Sequence, residues 1–133
     1  MTPADDAPDV LPAPDGVPEP ELAELTRLVR EFSVERDWLH FQDPKSLILA
    51  LVGEVGELAE LFQWIPADDA VPRFADEARR ARAGEEIADV LVYLLRLADV
   101  LGVDIATATR EKLADSHRRF DPATVRGTAP EKR

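Results

Sequence analysis

Pro44–Trp64 reads PKSLILALVGEVGELAELFQW, and its spacing predicts one helix that decides the fold. Asp43 offers an N-cap and Pro44 a first-turn residue, which together are a strong start signal. The segment should run to Trp64 and stop before Pro66. Its interior is nearly all apolar, with Leu49, Leu51, Val52, Val55, Leu58, Leu61 and Phe62. Glu54 and Glu57 interrupt it three residues apart, on neighbouring rows of one helix face. Gly53 and Gly56 sit beside them, each costing roughly 1 kcal/mol against alanine in a helix interior. Glycines there imply close approach by another helix or by a ligand.

The same device recurs downstream. In EEIADVLVYLLRLADVL, Glu85–Leu101, the acids Glu86 and Asp89 are again three apart in an apolar helix. Acids are seldom buried unless paired or bound to metal. The ordinary reading of acids at helical spacing is a solvated stripe. Against it, few lysines or arginines lie three or four residues from these acids, and none follows Lys45 in the first of the two helices. Two such pairs on antiparallel helices can present four carboxylates together. All-oxygen ligation suits Mg²⁺ or Mn²⁺. Without a histidine in either pair a di-iron bundle is disfavoured, and without cysteine so is zinc.

Working outward, the helical period holds throughout and no alternating strand pattern occurs. A first helix is expected from Glu21 to about Trp38, then a link over Leu39–Asp43. Ile65–Pro72 reads as a loop. A third helix should begin near Phe74 and end at Gly102, and Asp104 should cap a fourth that runs to about Phe120. The expected fold is all-α, four helices in a bundle-like domain over residues 21–121. Residues 1–20 carry six prolines among acids and are expected to be a disordered tail, as are residues 122–133.

Composition bounds the function. The net charge of −11 disfavours binding to nucleic acid. The opening MTPADDAPDV has neither the basic nor the apolar region of a secretory signal, and Leu47–Val52 and Val90–Leu95 are too short to cross a bilayer. A soluble cytoplasmic protein is the expectation. The absence of cysteine excludes a thiol nucleophile. Lys112, Arg118 and Arg119 come late and read equally well as phosphate ligands or as bases answering a helix dipole. Trp38, Phe41, Trp64 and Tyr93 are able to stack a nucleobase, although core packing explains any one of them as well.

The stretch RDWLHFQDPKSLILALVGEVGELAELFQW, then EEIADVLVYLLRLADVLGVD and KLADSHRRF, closely resembles the MazG-like nucleotide pyrophosphohydrolases, and within them the dCTP pyrophosphatase branch. The similarity spans about Leu28 to Phe120. The resemblance implies an all-α NTP pyrophosphatase fold with metal ligands at Glu54, Glu57, Glu86 and Asp89. It implies phosphate contacts from Lys112 and Arg119, and a base held between Trp38 and Trp64 with Tyr93 nearby. Lys45 and Ser116 complete the substrate-binding set it implies. Such proteins are helical dimers or tetramers whose active site borrows residues from a neighbouring subunit.

The chain departs from the family pattern at several places. Ser46 and Ser116 stand where the family has asparagine, and Gln42 where it has histidine. Phe120-Asp121 replaces the usual Tyr-Pro, Val29 replaces a histidine of the mammalian members, and Gly53-Glu54 stands where other branches have two glutamates. The expected activity is Mg²⁺-dependent hydrolysis of a nucleoside triphosphate, with Glu57 as general base (Glu54 and Glu60 being alternatives) and Lys112 as a catalytic cation. The alternatives are a pyrophosphohydrolase of the same scaffold acting on dUTP or phosphoribosyl-ATP, and a non-enzymatic acidic helical module that binds a metal or a partner.

Overall fold

The computed structural model describes residues 19–131. Among them every regular element is helical: α1 (Glu21–Glu35), a 3-10 turn (Leu39–Phe41), α2 (Pro44–Glu60), α3 (Ala67–Arg73), α4 (Glu77–Leu101), α5 (Ile105–Arg119) and α6 (Pro122–Val125). The expectations for residues 1–18 and 132–133 lie outside the described residues. Glu19 and Pro20, read with that tail, have defined places. Glu19 pairs with Arg27 at 3.0 Å, and the Pro20 carbonyl accepts from the Glu24 amide at 2.9 Å, opening α1.

Local chemistry sets most of the boundaries. Asp43, Asp76, Asp104 and Asp121 each accept a backbone amide at the start of α2, α4, α5 and α6. Two helices close on a residue in the left-handed region. After α4 this is Gly102 at φ 66°, with the Val103 amide reaching back to the Ala98 carbonyl at 2.8 Å. After α1 it is Asp37 at φ 52°, with the Trp38 amide on the Ser33 carbonyl at 3.0 Å. This Schellman closure ends α1 three residues before Trp38, where the sequence predicts its end.

Three other boundaries differ from expectation. α2 stops at Glu60 because its last turn tightens into i→i+3 bonds, Leu61 to Leu58 and Phe62 to Ala59. The stretch expected as a loop contains α3, with Asp68 and Asp69 in its first turn, where negative charge suits the helix dipole. α4 starts at Glu77, not near Phe74, because Asp76 caps it. Phe74 instead stacks on Phe62, with ring centroids 4.4 Å apart. Asp121-Pro122, expected to close the domain, also starts the single turn α6.

α2 lies along α4, and α1 packs on α4 as well. Leu47 of α2 and Leu95 of α4, each 2% exposed, form the centre of the apolar contact. Ser33 of α1 and Ala83 of α4 are buried too. Arg96 is the unexpected core residue, only 7% exposed. Its Nε donates to Gln42 Oε1 at 2.8 Å, and its Nη1 donates to Asp99. Asp99 also accepts from Arg30 Nε of α1 at 2.8 Å. The two guanidiniums, Arg30 foremost, hold the Asp99 carboxyl below its ordinary range. α5 has no comparable face against α1, α2 or α4. Among the described residues no helix is long and apolar enough to cross a membrane.

Candidate functional site

Three of the four expected acids, all but Asp89, come together where α2 runs along α4. A carboxylate oxygen from each of Glu54, Glu57 and Glu86 lies within 4.8 Å of the others. Glu86 is buried and Glu54 half-buried, while Glu57 is exposed at the mouth. Asp89, one turn along α4, is exposed, and its charge acts on both Glu54 and Glu86. Burial raises the Glu54 carboxyl above its ordinary range, and the charges of Glu57 and Asp89 push it further. Glu86 is raised mainly by burial, against the opposing pull of Arg82. The cluster therefore carries electrostatic strain as the bare protein.

Arg82 is one of the few basic residues at helical spacing from these acids. Glu86 does have a basic residue four positions away, and Arg82 Nη2 stands 2.8 Å from Glu86 Oε1. The pair leaves the site open, because Glu86 Oε2 and Glu54 Oε2 are both buried and without a hydrogen-bond partner. Buried carboxylate oxygens of that kind are costly unless a proton or a cation meets them. Hard oxygen donors on two rigid helices, with an exposed carboxylate at the rim, fit a divalent cation. The site can bind a metal.

The other expected site residues are spread more widely. Trp38 follows the closure of α1 and packs edge-on against Phe32, with centroids 5.8 Å apart. It is 42% exposed, so part of its ring is open to solvent. Trp64 is 87% exposed beyond the end of α2. Tyr93 is half-buried on α4 and Lys45 exposed on α2. Lys112 is exposed on α5. On the same helix Arg119 Nε pairs with Asp115 Oδ2 at 2.9 Å, and its Nη2 donates weakly to Ser116 Oγ at 3.4 Å. Because α5 has no extensive packing on α2 or α4, the chain's own contacts do not draw Lys112 and Arg119 onto the acids.

Gly53 and Gly56 were expected to mark a close approach. A Cβ on either would meet nothing within 4 Å, so no other helix among the described residues approaches them closely. Two features escaped sequence reading. The Arg82–Glu86 pair had a signal in its i,i+4 spacing. The Gln42–Arg96–Asp99 network had none, since an arginine within an apolar run reads as a single solvated residue.

Comparison with known proteins agrees with this picture. Residues 50–122 match the MazG-like family. The chain is 46% identical over 111 residues to dCTP pyrophosphatase 1 of Bos taurus, which covers 84% of this chain and 66% of that protein. It is 45% identical over 112 residues to dCTP pyrophosphatase 1 of Homo sapiens, with the same coverage. The chain thus spans just under two thirds of these relatives' length. A crystal structure of a pyrophosphatase from Archaeoglobus fulgidus superposes with a TM-score of 0.72 at 36% identity, covering 79% of this chain and 96% of that one. With the acids of its two helices converging inside a matched all-α fold, the chain belongs to the MazG-like family.

Proposed function

We propose that this chain hydrolyses nucleoside triphosphates to the monophosphate and pyrophosphate, with dCTP preferred and Mg²⁺ as cofactor (Mn²⁺ as a substitute). The observation that carries the reading is the convergence of Glu54, Glu57 and Glu86 with two buried oxygens left unpartnered. The activity named for the relatives supports it, and so does their name for the choice of base.

Glu54, Glu57, Glu86 and Asp89 would hold the metal. When bound, a divalent cation supplies charge neutralisation of the triphosphate and orientation of the attacking water. Glu57, the exposed member, accepts the proton of that water as general base. Lys112 and Arg119 balance charge on the departing pyrophosphate. Trp38 and Trp64 stack the base, while Tyr93, Lys45 and Ser116 complete the substrate contacts.

For α5 to serve the site its cations must come from another copy, so the working form is a homodimer or homotetramer. The apolar side chains left open on α2, Leu49 at 64% and Val52 at 62% exposure, support such an assembly. Its place of action is the cytoplasmic nucleotide pool. The test is a panel of nucleoside triphosphates with Mg²⁺, quantifying monophosphate and pyrophosphate separately. Equimolar release of both, fastest with dCTP and absent in chelator, is expected. Release of orthophosphate, or no metal-dependent turnover, contradicts the proposal.

A further inference from the structure

We infer that Gln42 and Arg96 are positioning residues for the base, acting through Trp38; the inference rests on the hydrolase reading above. Trp38 leaves the Schellman closure of α1, and the chain from there to the cap of α2 is a single 3-10 turn, Leu39–Phe41. Such a short link has little packing of its own: Trp38, Leu39 and Phe41 are 42%, 43% and 54% exposed. Its far end is tied within the link by the Gln42 amide on the Leu39 carbonyl at 3.2 Å, and to α4 by the side-chain bond from Arg96 Nε to Gln42 Oε1 at 2.8 Å.

Arg96 is itself buried and held at both ends of its guanidinium. It is 7% exposed, and its other hydrogen bond goes to Asp99, which Arg30 holds from α1. The link is therefore clamped between α1 and α4 by a charge network centred on a buried guanidinium. A partly exposed tryptophan can stack a base only while the backbone carrying it stays still, since misplacement by an ångström forfeits much of the interaction. Neither Gln42 nor Arg96 belongs to the acidic cluster, so the clamp sets affinity for the base and not the chemistry at phosphate.

Gln42→Ala and Gln42→Glu test this without emptying the core. The alanine variant removes the acceptor, whereas the glutamate variant keeps it and adds charge assistance. Expected for Gln42→Ala are a KM for dCTP raised roughly three- to tenfold, kcat within about twofold, and faster amide exchange over Trp38–Gln42. Gln42→Glu should restore both KM and exchange protection. An unchanged KM in Gln42→Ala overturns the inference, even with faster exchange, as does a loss confined to kcat. If the wild-type chain turns over no nucleoside triphosphate, the hydrolase reading fails, and unchanged exchange in Gln42→Ala separately removes the clamp.

Discussion

Arg82 holds one oxygen of Glu86 at 2.8 Å while the other oxygen of the same carboxylate is buried without a partner. The arginine approaches from solvent, its side chain 59% exposed, and Glu86 is 3% exposed beneath it. One oxygen of the carboxylate is thus paired from outside, while the group as a whole belongs to the cluster with Glu54 and Glu57 of α2.

This division predicts the pH response of the metal-free protein. Glu54 and Glu86 have folded values raised above the ordinary carboxyl range, so the folded chain binds more protons than the unfolded one in that interval. Their stabilising contribution is complete below the unfolded value near 4.5 and is lost as pH rises through the raised folded values. Denaturant unfolding in chelator should show stability falling over that window. Glu86→Gln should flatten the fall, and Arg82→Gln should steepen it by removing the opposing charge. A profile identical in all three proteins contradicts the assignment of strain to this cluster.

Asp99 should behave in the opposite sense. Its folded value is lowered, chiefly by Arg30, so its contribution is present above the unfolded 3.8 and lost as pH falls through the lowered value. Asp99→Asn leaves buried Arg96 without its charge partner and should cost about 2 kcal/mol at neutral pH. Chemical denaturation of the variant measures this directly, and a loss below about 0.5 kcal/mol means the network does not hold α1 to α4.

The closure of α1 gives a prediction of the other sign. Asp37 adopts φ 52° with its side chain almost fully exposed and only a 4.0 Å approach to His40. Glycine takes that backbone conformation without the Cβ penalty, so Asp37→Gly should raise stability by roughly 0.5–1 kcal/mol. Thermal unfolding checks it. Lower stability in the variant means that the aspartate makes a stabilising contact in solution.

The sequence disclosed features whose chemistry is local. Asp43, Gly102 and Asp104 carry their capping roles in their own neighbourhoods, and the paired acids marked the contact of two helices because acids in apolar helices demand a reason. Asp37 at the same kind of closure as Gly102 was not legible, since aspartate enters the left-handed region only when its surroundings require it. α3 was hidden by Pro66 and Pro72, which read as breakers although one precedes the helix and the other sits near its end. Arg96 was invisible for a different reason. Its partner Gln42 is 54 positions away, and no periodicity connects them. That α5 makes no extensive contact with α2 or α4 was equally hidden, because helix spacing within α5 says nothing about what α5 packs against.

The central claim is that Glu54, Glu57, Glu86 and Asp89 form one metal site on which hydrolysis depends. The most direct measurement follows Tm with and without Mg²⁺, beside dCTP turnover, for wild type, Glu57→Gln and Glu86→Gln. The wild-type Tm should rise with Mg²⁺, by an amount that grows with the logarithm of its concentration above Kd. Both amide variants should lose most of that rise and at least a hundredfold in turnover (about 2.7 kcal/mol). Without metal they should melt at or above the wild-type temperature, because a repelling charge has gone. Amide variants that keep their Mg²⁺ response and full turnover, or that unfold outright without metal, would contradict the account and make these acids structural.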